Sequence, residues 1–234
     1  MDSYHDVKSI KDLAGEPDAY RAAVQKIVVS HAVNELHGAR VYDEPAIDLA
    51  PTPYAKWLTC RVAMEEYHHH LRFKHLADDM GVPESATGSK KPLSIFGFKL
   101  ETWPQFCVIK LLADLAEILQ VEDLLHCSFI PLRTLARITM PEEKFHHEFG
   151  VEFCTALVAA PSGRRAVQAA IDAYFPILPA FFGTAGSKNN EAFRRYGLKL
   201  RKNEEMLADY VKRARKAVEA LGLTLPELPD RKAA

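Results

Sequence analysis

An all-α fold, a four-helix bundle with additional C-terminal helices, is predicted by three features of the sequence. Apolar residues recur at steps of three and four over long stretches, as they do along one face of a helix, and no alternating strand pattern of useful length competes with them. Prolines and glycines divide these stretches into segments of helical length. Four of the segments carry residues of the types that bind metal ions.

Composition restricts the class of protein. The 234 residues, 48% hydrophobic and 26% charged, fit one domain spanning residues 1–234. The net charge of -1 gives no global field for nucleic acid or an anionic membrane. No signal peptide is recognisable, and no apolar run approaches the ~20 residues that span a bilayer. Four cysteines without a C-x-x-C pair predict buried thiols. We expect a cytoplasmic protein that binds neither nucleic acid nor membranes.

The core bundle is predicted over about residues 18–160. Thr102 and Gln105 form a capping-box pattern at the start of the third helix, and prolines precede the second and the fourth. The four helices are expected at about residues 18–38, 55–79, 102–128 and 131–161. A loop over about residues 81–101 separates the second and third helices, and a loop of this length is usually functional or ordered by packing.

Further helices are predicted over about residues 162–222. Ser162 is a candidate cap for a fifth helix that extends to Pro176 or Pro179. A last helical region is expected from about residue 190 to Gly222, which is typical of a helix end.

Asp114 is the most informative single residue. It lies in the middle of an apolar stripe on the third helix, where an aspartate is costly unless it is paired or bound to metal. Glu143 and His146 occupy the same kind of position on the fourth helix. Glu117 and Glu122 lie off the stripe of Asp114, so we interpret them as surface residues.

The first two helices carry matching candidates. Glu35 lies centrally on the apolar face of the first helix. The second helix contains two overlapping Glu-x-x-His pairs, Glu65 with His68 and Glu66 with His69, and its apolar stripe slightly favours the first of these pairs. Residues three apart share a helix face, so one helix can offer an oxygen and a nitrogen to one metal.

The six candidates follow the order carboxylate, Glu-x-x-His, carboxylate, Glu-x-x-His. Four-helix bundles use this arrangement to hold two iron or manganese ions. The predicted ligands are Glu35, Glu65, His68, Asp114, Glu143 and His146. Four carboxylates would balance two divalent cations, and a set of oxygen and imidazole ligands suits Fe2+ or Mn2+.

Several neighbours have open roles. Glu142 and His147 either support the ligands from outside or face solvent, and His31 and His37 are expected to be core or surface side chains. The loop residues Lys90, Lys91, Phe96 and Phe98 are candidates for substrate binding.

The motifs around these residues resemble a known family. The best stretches are Ser94-Ile95-Phe96 before Trp103, Leu112-Ala113-Asp114, Cys127-Ser128-Phe129 and Glu142-Glu143-Lys144-Phe145-His146. They resemble the catalytic A subunits of ring-1,2-phenylacetyl-CoA epoxidases, in the ferritin-like di-iron family of phenylacetic acid catabolism. The resemblance covers nearly the whole chain. Its register assigns the Glu-x-x-His pair of the second helix to Glu65 and His68.

The resemblance implies a di-iron monooxygenase. The expected cofactors are two iron ions (Fe2+/Fe3+), with manganese as a substitute and O2 as co-substrate. The expected substrate is a small aromatic compound, as a coenzyme A thioester such as phenylacetyl-CoA. The expected partners are an external reductase that supplies electrons and either further copies of the chain or a related helical subunit. The resemblance assigns no catalytic residue beyond the metal ligands.

Some positions depart from the family pattern. Pro141 lies two residues before a predicted ligand and is expected to kink its helix, and Tyr67 and His147 are unexpected near the site. These departures concern the substrate and the partners rather than the metal site. Three rival functions are also considered: oxygenation of a different small molecule, metal storage, and a non-catalytic subunit with a vestigial metal site.

Overall fold

The computed structural model describes residues 4–89 and 91–228, with the backbone alone for residues 87–89. Within these residues the regular structure is helical, apart from one isolated bridge between Val7 and Phe129. The prediction of an all-α fold is confirmed. No helix in this part of the chain is long and apolar enough to cross a membrane.

The helices are numbered in chain order. They are α1 Ile10–Leu13, α2 Asp18–Gly38, α3 Glu44–Leu49, α4 Pro53–Asp79, α5 Glu84–Ser89, α6 Trp103–Leu124, α7 Ile130–Val158, α8 Pro161–Tyr174, α9 Lys188–Arg195 and α10 Asn203–Ala220. A π-helical segment, Ala39–Asp43, continues α2, and the 3-10 segments are Ser94–Gly97 and Phe175–Phe182.

Local sequence explains where the two central helices begin. The Thr52 hydroxyl accepts a hydrogen bond from the amide of Ala55 at the start of α4. At the start of α6 the predicted capping box is present: Thr102 accepts from the amide of Gln105, and the Gln105 side chain accepts from the amide of Thr102.

The structure corrects several expectations between and within the helices. The predicted loop over residues 81–101 contains α5 and a 3-10 turn, and the last helical region is two helices. Ser162 does not cap α8, which begins at Pro161 instead. Pro141 is an exposed residue within the single helix α7, and the kink expected there stays a prediction. Cys60 is exposed rather than buried, while all four thiols are free.

The bundle consists of α2, α4, α6 and α7. α2 packs against α4, α6 against α7, and α4 against α7, while α8 and α10 cover α6. Its core has two apolar clusters, one toward each end of the bundle. The first cluster is bounded by Val62 on α4 and Phe149 on α7. The second cluster is bounded by Phe73 on α4 and Met140 on α7. A layer of buried polar side chains lies between the clusters.

The contact between α6 and α7 depends on Gly150. A Cβ atom added at Gly150 would lie 2.3 Å from the backbone nitrogen of Leu111. Neither backbone can yield without moving its helix, so the absence of a side chain at Gly150 sets the distance between the two helices.

We expect Gly150→Ala to destabilise the protein, because overpacking against backbone costs about 1–3 kcal/mol or more. The matched control is Gly97→Ala, where an added Cβ meets no atom within 4 Å. Chemical denaturation of the two variants measures the difference. Equal stability of the two variants would contradict the close approach of α6 and α7.

Candidate metal centre

The polar layer brings together four of the six predicted ligands. Glu35 of α2, Asp114 of α6, and Glu143 and His146 of α7 are all buried there, each with 7% or less of its surface exposed. They therefore lie on the inward faces of their helices, as their apolar stripes indicate.

The second helix supplies the other overlapping pair. Glu66 and His69 are buried and point into the layer, whereas His68 is exposed and Glu65 is half-buried outside it. This corrects the predicted pair Glu65 and His68. The buried positions of α4 show the physical reason, because they continue in helical steps through both ligands: Leu58, Val62, Glu66, His69, Phe73 and Leu76.

A signal for this register was present in the sequence. α4 contains Glu65-Glu66-x-x-His69 and α7 contains Glu142-Glu143-x-x-His146, so each helix carries Glu-Glu-x-x-His. Aligning the two motifs selects the second glutamate of each pair as the inward residue.

The inward residues form two overlapping groups of metal-ligand type. In each group the potential ligand atoms lie within 4.8 Å of one another. One group is Glu35, Glu66, His69 and Glu143, and the other is Glu66, Asp114, Glu143 and His146. Each group could hold one metal ion.

Glu66 and Glu143 belong to both groups, and each directs one oxygen toward each histidine. Glu143 places Oε1 3.2 Å from Nδ1 of His69 and Oε2 3.9 Å from Nδ1 of His146. Glu66 places Oε2 3.5 Å from Nδ1 of His69 and Oε1 3.1 Å from Nδ1 of His146. Both carboxylates could therefore contribute an oxygen to either group.

The converging atoms fit metal binding because many of them lack a hydrogen-bond partner. Within the described residues, five such buried atoms have none: both carboxylate oxygens of Glu143, Oδ2 of Asp114, and Nδ1 of His69 and of His146. Buried polar atoms are rarely left unpaired, and each such atom needs an explanation. Two cations at the centre of the layer would satisfy all five.

The two histidines are fixed by a reciprocal exchange between α4 and α7. Nε2 of His69 on α4 lies 2.9 Å from Glu142 of α7, and Nε2 of His146 on α7 lies 2.9 Å from Glu65 of α4. The first glutamate of each Glu-Glu-x-x-His motif therefore holds the histidine of the other motif. Such contacts fix ring orientation and leave Nδ1 for a metal.

Arginines hold these outer carboxylates from the solvent side. Arg72 binds both oxygens of Glu142, and Arg61 donates to Glu65 at 2.9 Å. The Arg61 guanidinium also lies 3.7 Å from the centre of the Phe145 ring. Burial would raise the pKa of Glu142, but His69 and Arg72 hold it at about 2. Glu65 and Glu142 are thus negatively charged groups that hold the histidine rings in place.

A buried ammonium group lies on the opposite side of the cluster. Nζ of Lys110 is 2.8 Å from Glu66, 2.9 Å from Asp43 and 3.2 Å from Asp114. Burial would lower the pKa of Lys110, but the three carboxylates hold it well above its usual value. Lys110 and Asp43 form an ion pair that no motif in the sequence indicated.

Most groups of the metal-free cluster have a raised pKa. Burial raises the pKa of Glu35 and of Asp114, and neighbouring carboxylates add to the effect, while Lys110 and His146 oppose it at Asp114. Burial would lower the pKa of His146, but Glu66 and Glu65 raise it to about 9. The metal-free site therefore takes up protons in place of cations.

Sequence reasoning also missed Glu117 and His31. Glu117 is half-buried rather than exposed, and burial together with Glu143 and Glu66 holds its pKa well above the usual range. Nδ1 of His31 lies 3.6 Å from Glu35, and its ring stacks on Phe73. Glu117, His31 and Glu35 form a third group of ligand-type atoms. Glu117 was misplaced because it lies one helical turn from Asp114, at the edge of the stripe.

Two cavities approach the cluster from the side of α2 and α6. The inner cavity, of about 40 Å3, touches Glu35, Glu66 and Asp114. Its other walls include aromatic side chains: Tyr42, Phe96, Tyr174 and Phe181. An outer chamber of about 160 Å3 shares Asn34, Glu117 and Phe181 with it. These shared residues form the partition between chamber and cavity.

The predicted substrate residues have different positions. Phe96 lines the inner cavity, while Phe98 packs behind it, 5.0 Å from the ring of Tyr174. Lys91 is exposed and lines neither cavity. Lys90 lies outside the described residues.

Comparisons with known proteins show what this chain is similar to. The family model described as Phenylacetic acid catabolic protein matches residues 7–234. The chain is 28% identical to the A subunit of 1,2-phenylacetyl-CoA epoxidase from Escherichia coli (strain K12) over 224 residues, which is 92% of this chain and 72% of that protein.

A solved structure supports the fold. "Protein 19 with aldehyde deformylating oxidase activity from Synechococcus" superposes with a TM-score of 0.67 at 18% identity, over 88% of this chain and 93% of that chain. This likeness concerns the fold alone and agrees with the predicted four-helix bundle with additional helices.

The register of α4 can be tested by metal content. We expect His69→Ala and Glu66→Ala to lower the iron bound by anaerobically loaded protein, since each removes a converging ligand atom. The matched control His68→Ala changes an exposed neighbour on the same helix and should leave iron content unchanged. Loss of iron in His68→Ala and retention in His69→Ala would restore the predicted pair.

The raised pKa values predict a pH dependence of stability. A histidine with its pKa raised from 6.5 to about 9 stabilises the folded state fully below pH 6.5, and this stabilisation is lost as pH rises to about 9. The melting temperature of metal-free protein should therefore fall over this window. In iron-loaded or manganese-loaded protein the cations replace the protons, so the fall should disappear. Parallel curves with and without metal would count against a shared site.

Proposed function

The chain belongs to the family of phenylacetic acid catabolic proteins, and we propose that it is a di-iron oxygenase subunit that oxidises a small aromatic acyl-CoA thioester. The single observation that carries this proposal is the buried cluster, in which ligand-type atoms converge from four helices and five of these atoms lack a hydrogen-bond partner in the described residues. The similarity to the A subunit of a phenylacetyl-CoA epoxidase supports phenylacetyl-CoA as the first substrate to test.

We assign the metal ligands from the two groups. Glu35 and His69 would hold one iron, Asp114 and His146 would hold the other, and Glu66 and Glu143 would serve both. The donor set of carboxylates and imidazoles suits Fe2+, with Mn2+ as a substitute, and contains no thiolate. Four ligand carboxylates balance two divalent cations.

When bound, the iron pair supplies reductive activation of O2, which adds one oxygen atom to the substrate and leaves the other as water. Reduction of O2 in this reaction takes four electrons, of which the substrate supplies two. The other two come from a separate reductase in this proposal. Glu65 and Glu142 orient the histidines, and the apolar clusters on either side of the layer exclude bulk water from it.

The inner cavity is the place for the aromatic ring. Its walls combine ligand carboxylates with the rings of Phe96 and Phe181. At about 40 Å3 it is smaller than the ~150 Å3 cavity that holds benzene in an engineered core, whereas the outer chamber of about 160 Å3 is large enough. Entry of a ring therefore requires movement of the partition, and Phe181 is its apolar member.

The outer chamber suits the chain that follows the ring. It offers hydrogen-bonding side chains, among them Asn34, Gln120 and Lys199, together with apolar Ile27 and Phe193. A thioester arm with amide groups and aliphatic carbons needs both kinds of contact. A related helical subunit is a further partner under this proposal, because the Escherichia coli relative is named as one subunit. The four free cysteines fit the expected cytoplasmic location.

A single-turnover experiment tests the proposed reaction. Anaerobically iron-loaded protein is reduced chemically, mixed with phenylacetyl-CoA and exposed to isotopically labelled O2, so that no reductase is needed. We expect one labelled oxygen atom in the product by mass spectrometry, and none with Glu143→Ala, whose site has lost a shared ligand. His68→Ala is the control with an intact site. Iron binding without any labelled product would point to another substrate, and absence of iron binding would leave a non-catalytic subunit.

A further inference from the structure

Tyr174, the last residue of α8, carries a buried hydroxyl that the fold does not use. The side chain is 1% exposed, and within the described residues its oxygen has no hydrogen-bond partner. An unsatisfied buried hydroxyl destabilises the folded state, and phenylalanine at this position would avoid that cost. The hydroxyl is therefore available to a partner that is not part of the folded chain.

The surroundings of Tyr174 place that partner in the inner cavity. Tyr174 lines the cavity beside Asp114, and both Asp114 and Lys110 influence its pKa. Its ring is held edge-on by Phe98 at 5.0 Å and by Tyr42 at 6.3 Å. The Tyr174 ring thus has a fixed position next to the metal cluster.

The neighbouring polar groups are already engaged. The Tyr174 hydroxyl lies close enough to Tyr42 to lower the pKa of Tyr42, but the two hydroxyls do not have the geometry of a hydrogen bond. Tyr42 instead donates to the carbonyl oxygen of Ile95 at 2.5 Å. Lys110 is occupied by three carboxylates. Burial keeps the pKa of Tyr174 well above its usual value, so its hydroxyl remains a donor at neutral pH.

We propose that the Tyr174 hydroxyl donates a hydrogen bond to the thioester carbonyl oxygen of the substrate and so positions the adjacent ring against the metal cluster. This inference rests on the proposed function. A carbonyl group is a strong acceptor without charge, as suits a neutral donor in a largely apolar wall. In an arylacetyl thioester one carbon separates ring and carbonyl, so a bond to the carbonyl restricts which ring edge faces the metals.

Tyr210 provides a matched control within the same molecule. Its hydroxyl is also buried without a hydrogen-bond partner in the described residues, and its side chain is fully buried. It packs against Phe175 and Phe182 rather than lining the inner cavity. Removing either hydroxyl leaves shape and fold unchanged, but only Tyr174 should matter to a ligand.

The experiment compares binding of two ligands to iron-loaded protein without O2. One is phenylacetyl-CoA, and the other is its thioether analogue, S-(2-phenylethyl)-CoA, which lacks the carbonyl oxygen. We expect the wild type to bind the thioester about tenfold more tightly, the ratio that one net hydrogen bond supplies. Tyr174→Phe should lose this preference, and Tyr210→Phe should keep it. Thermal denaturation of both variants should show no loss of stability, because neither hydroxyl is paired.

The outcomes separate the two proposals. If wild type binds both ligands equally and still oxygenates the thioester, the role of Tyr174 is overturned and the proposed function stands. The role of Tyr174 is likewise overturned if Tyr174→Phe keeps the preference, or if Tyr210→Phe loses it to the same extent. If wild type binds neither ligand, the proposed substrate class and the role of Tyr174 are both overturned.

Discussion

Charge balance in the middle of the bundle is the constraint on which the rest of the structure depends. The polar layer buries five carboxyl groups: Glu35, Asp43, Glu66, Asp114 and Glu143. Lys110 compensates one of them, and the remaining four match two divalent cations. Burial raises the pKa of Glu35 and Asp114, and Glu66 and Glu65 raise that of His146, so without cations the layer takes up protons instead. The two apolar clusters stabilise the bundle against the cost of this layer.

The cluster has a closed side and an open side. On the closed side the contacts between α4 and α7 are reciprocal. Glu65 of α4 holds His146 of α7, and Glu142 of α7 holds His69 of α4. Each histidine is thereby fixed by the helix it does not belong to, and the two helices cannot shift independently. On the open side, α2 and α6 border both cavities. The proposed reaction uses this asymmetry. The contact between α4 and α7 holds the histidines rigidly, and the substrate reaches the cluster between α2 and α6.

Sequence predicted the parts of this arrangement that follow from helix periodicity. Asp114 and Glu143 are each flanked on both sides by apolar residues of the same helix face, so their inward orientation could be predicted. The stripe of α4 allowed two phases one residue apart, and the wrong phase was favoured because Glu65 also fits an apolar row. Glu117 was misplaced because a residue at the edge of a stripe can turn inward when a neighbouring helix leaves a cavity there. Periodicity predicts which face of a helix is buried, whereas tertiary packing decides whether a residue at the edge of that face is buried or exposed.

The ion pair of Lys110 with Asp43 shows what periodicity cannot reveal. In a regular α-helix the residue seven positions after Glu35 would lie almost directly in line with it, and the eighth would lie about 80° around the helix axis. The π-helical segment Ala39–Asp43 accommodates one additional residue, so that Asp43, the eighth, faces the same layer as Glu35. Because Lys110 then has a partner outside the ligand set, it need not occupy the metal positions to remain paired. A helix irregularity without a sequence signature thus supplies the fifth carboxylate, and with it the charge balance that two cations complete.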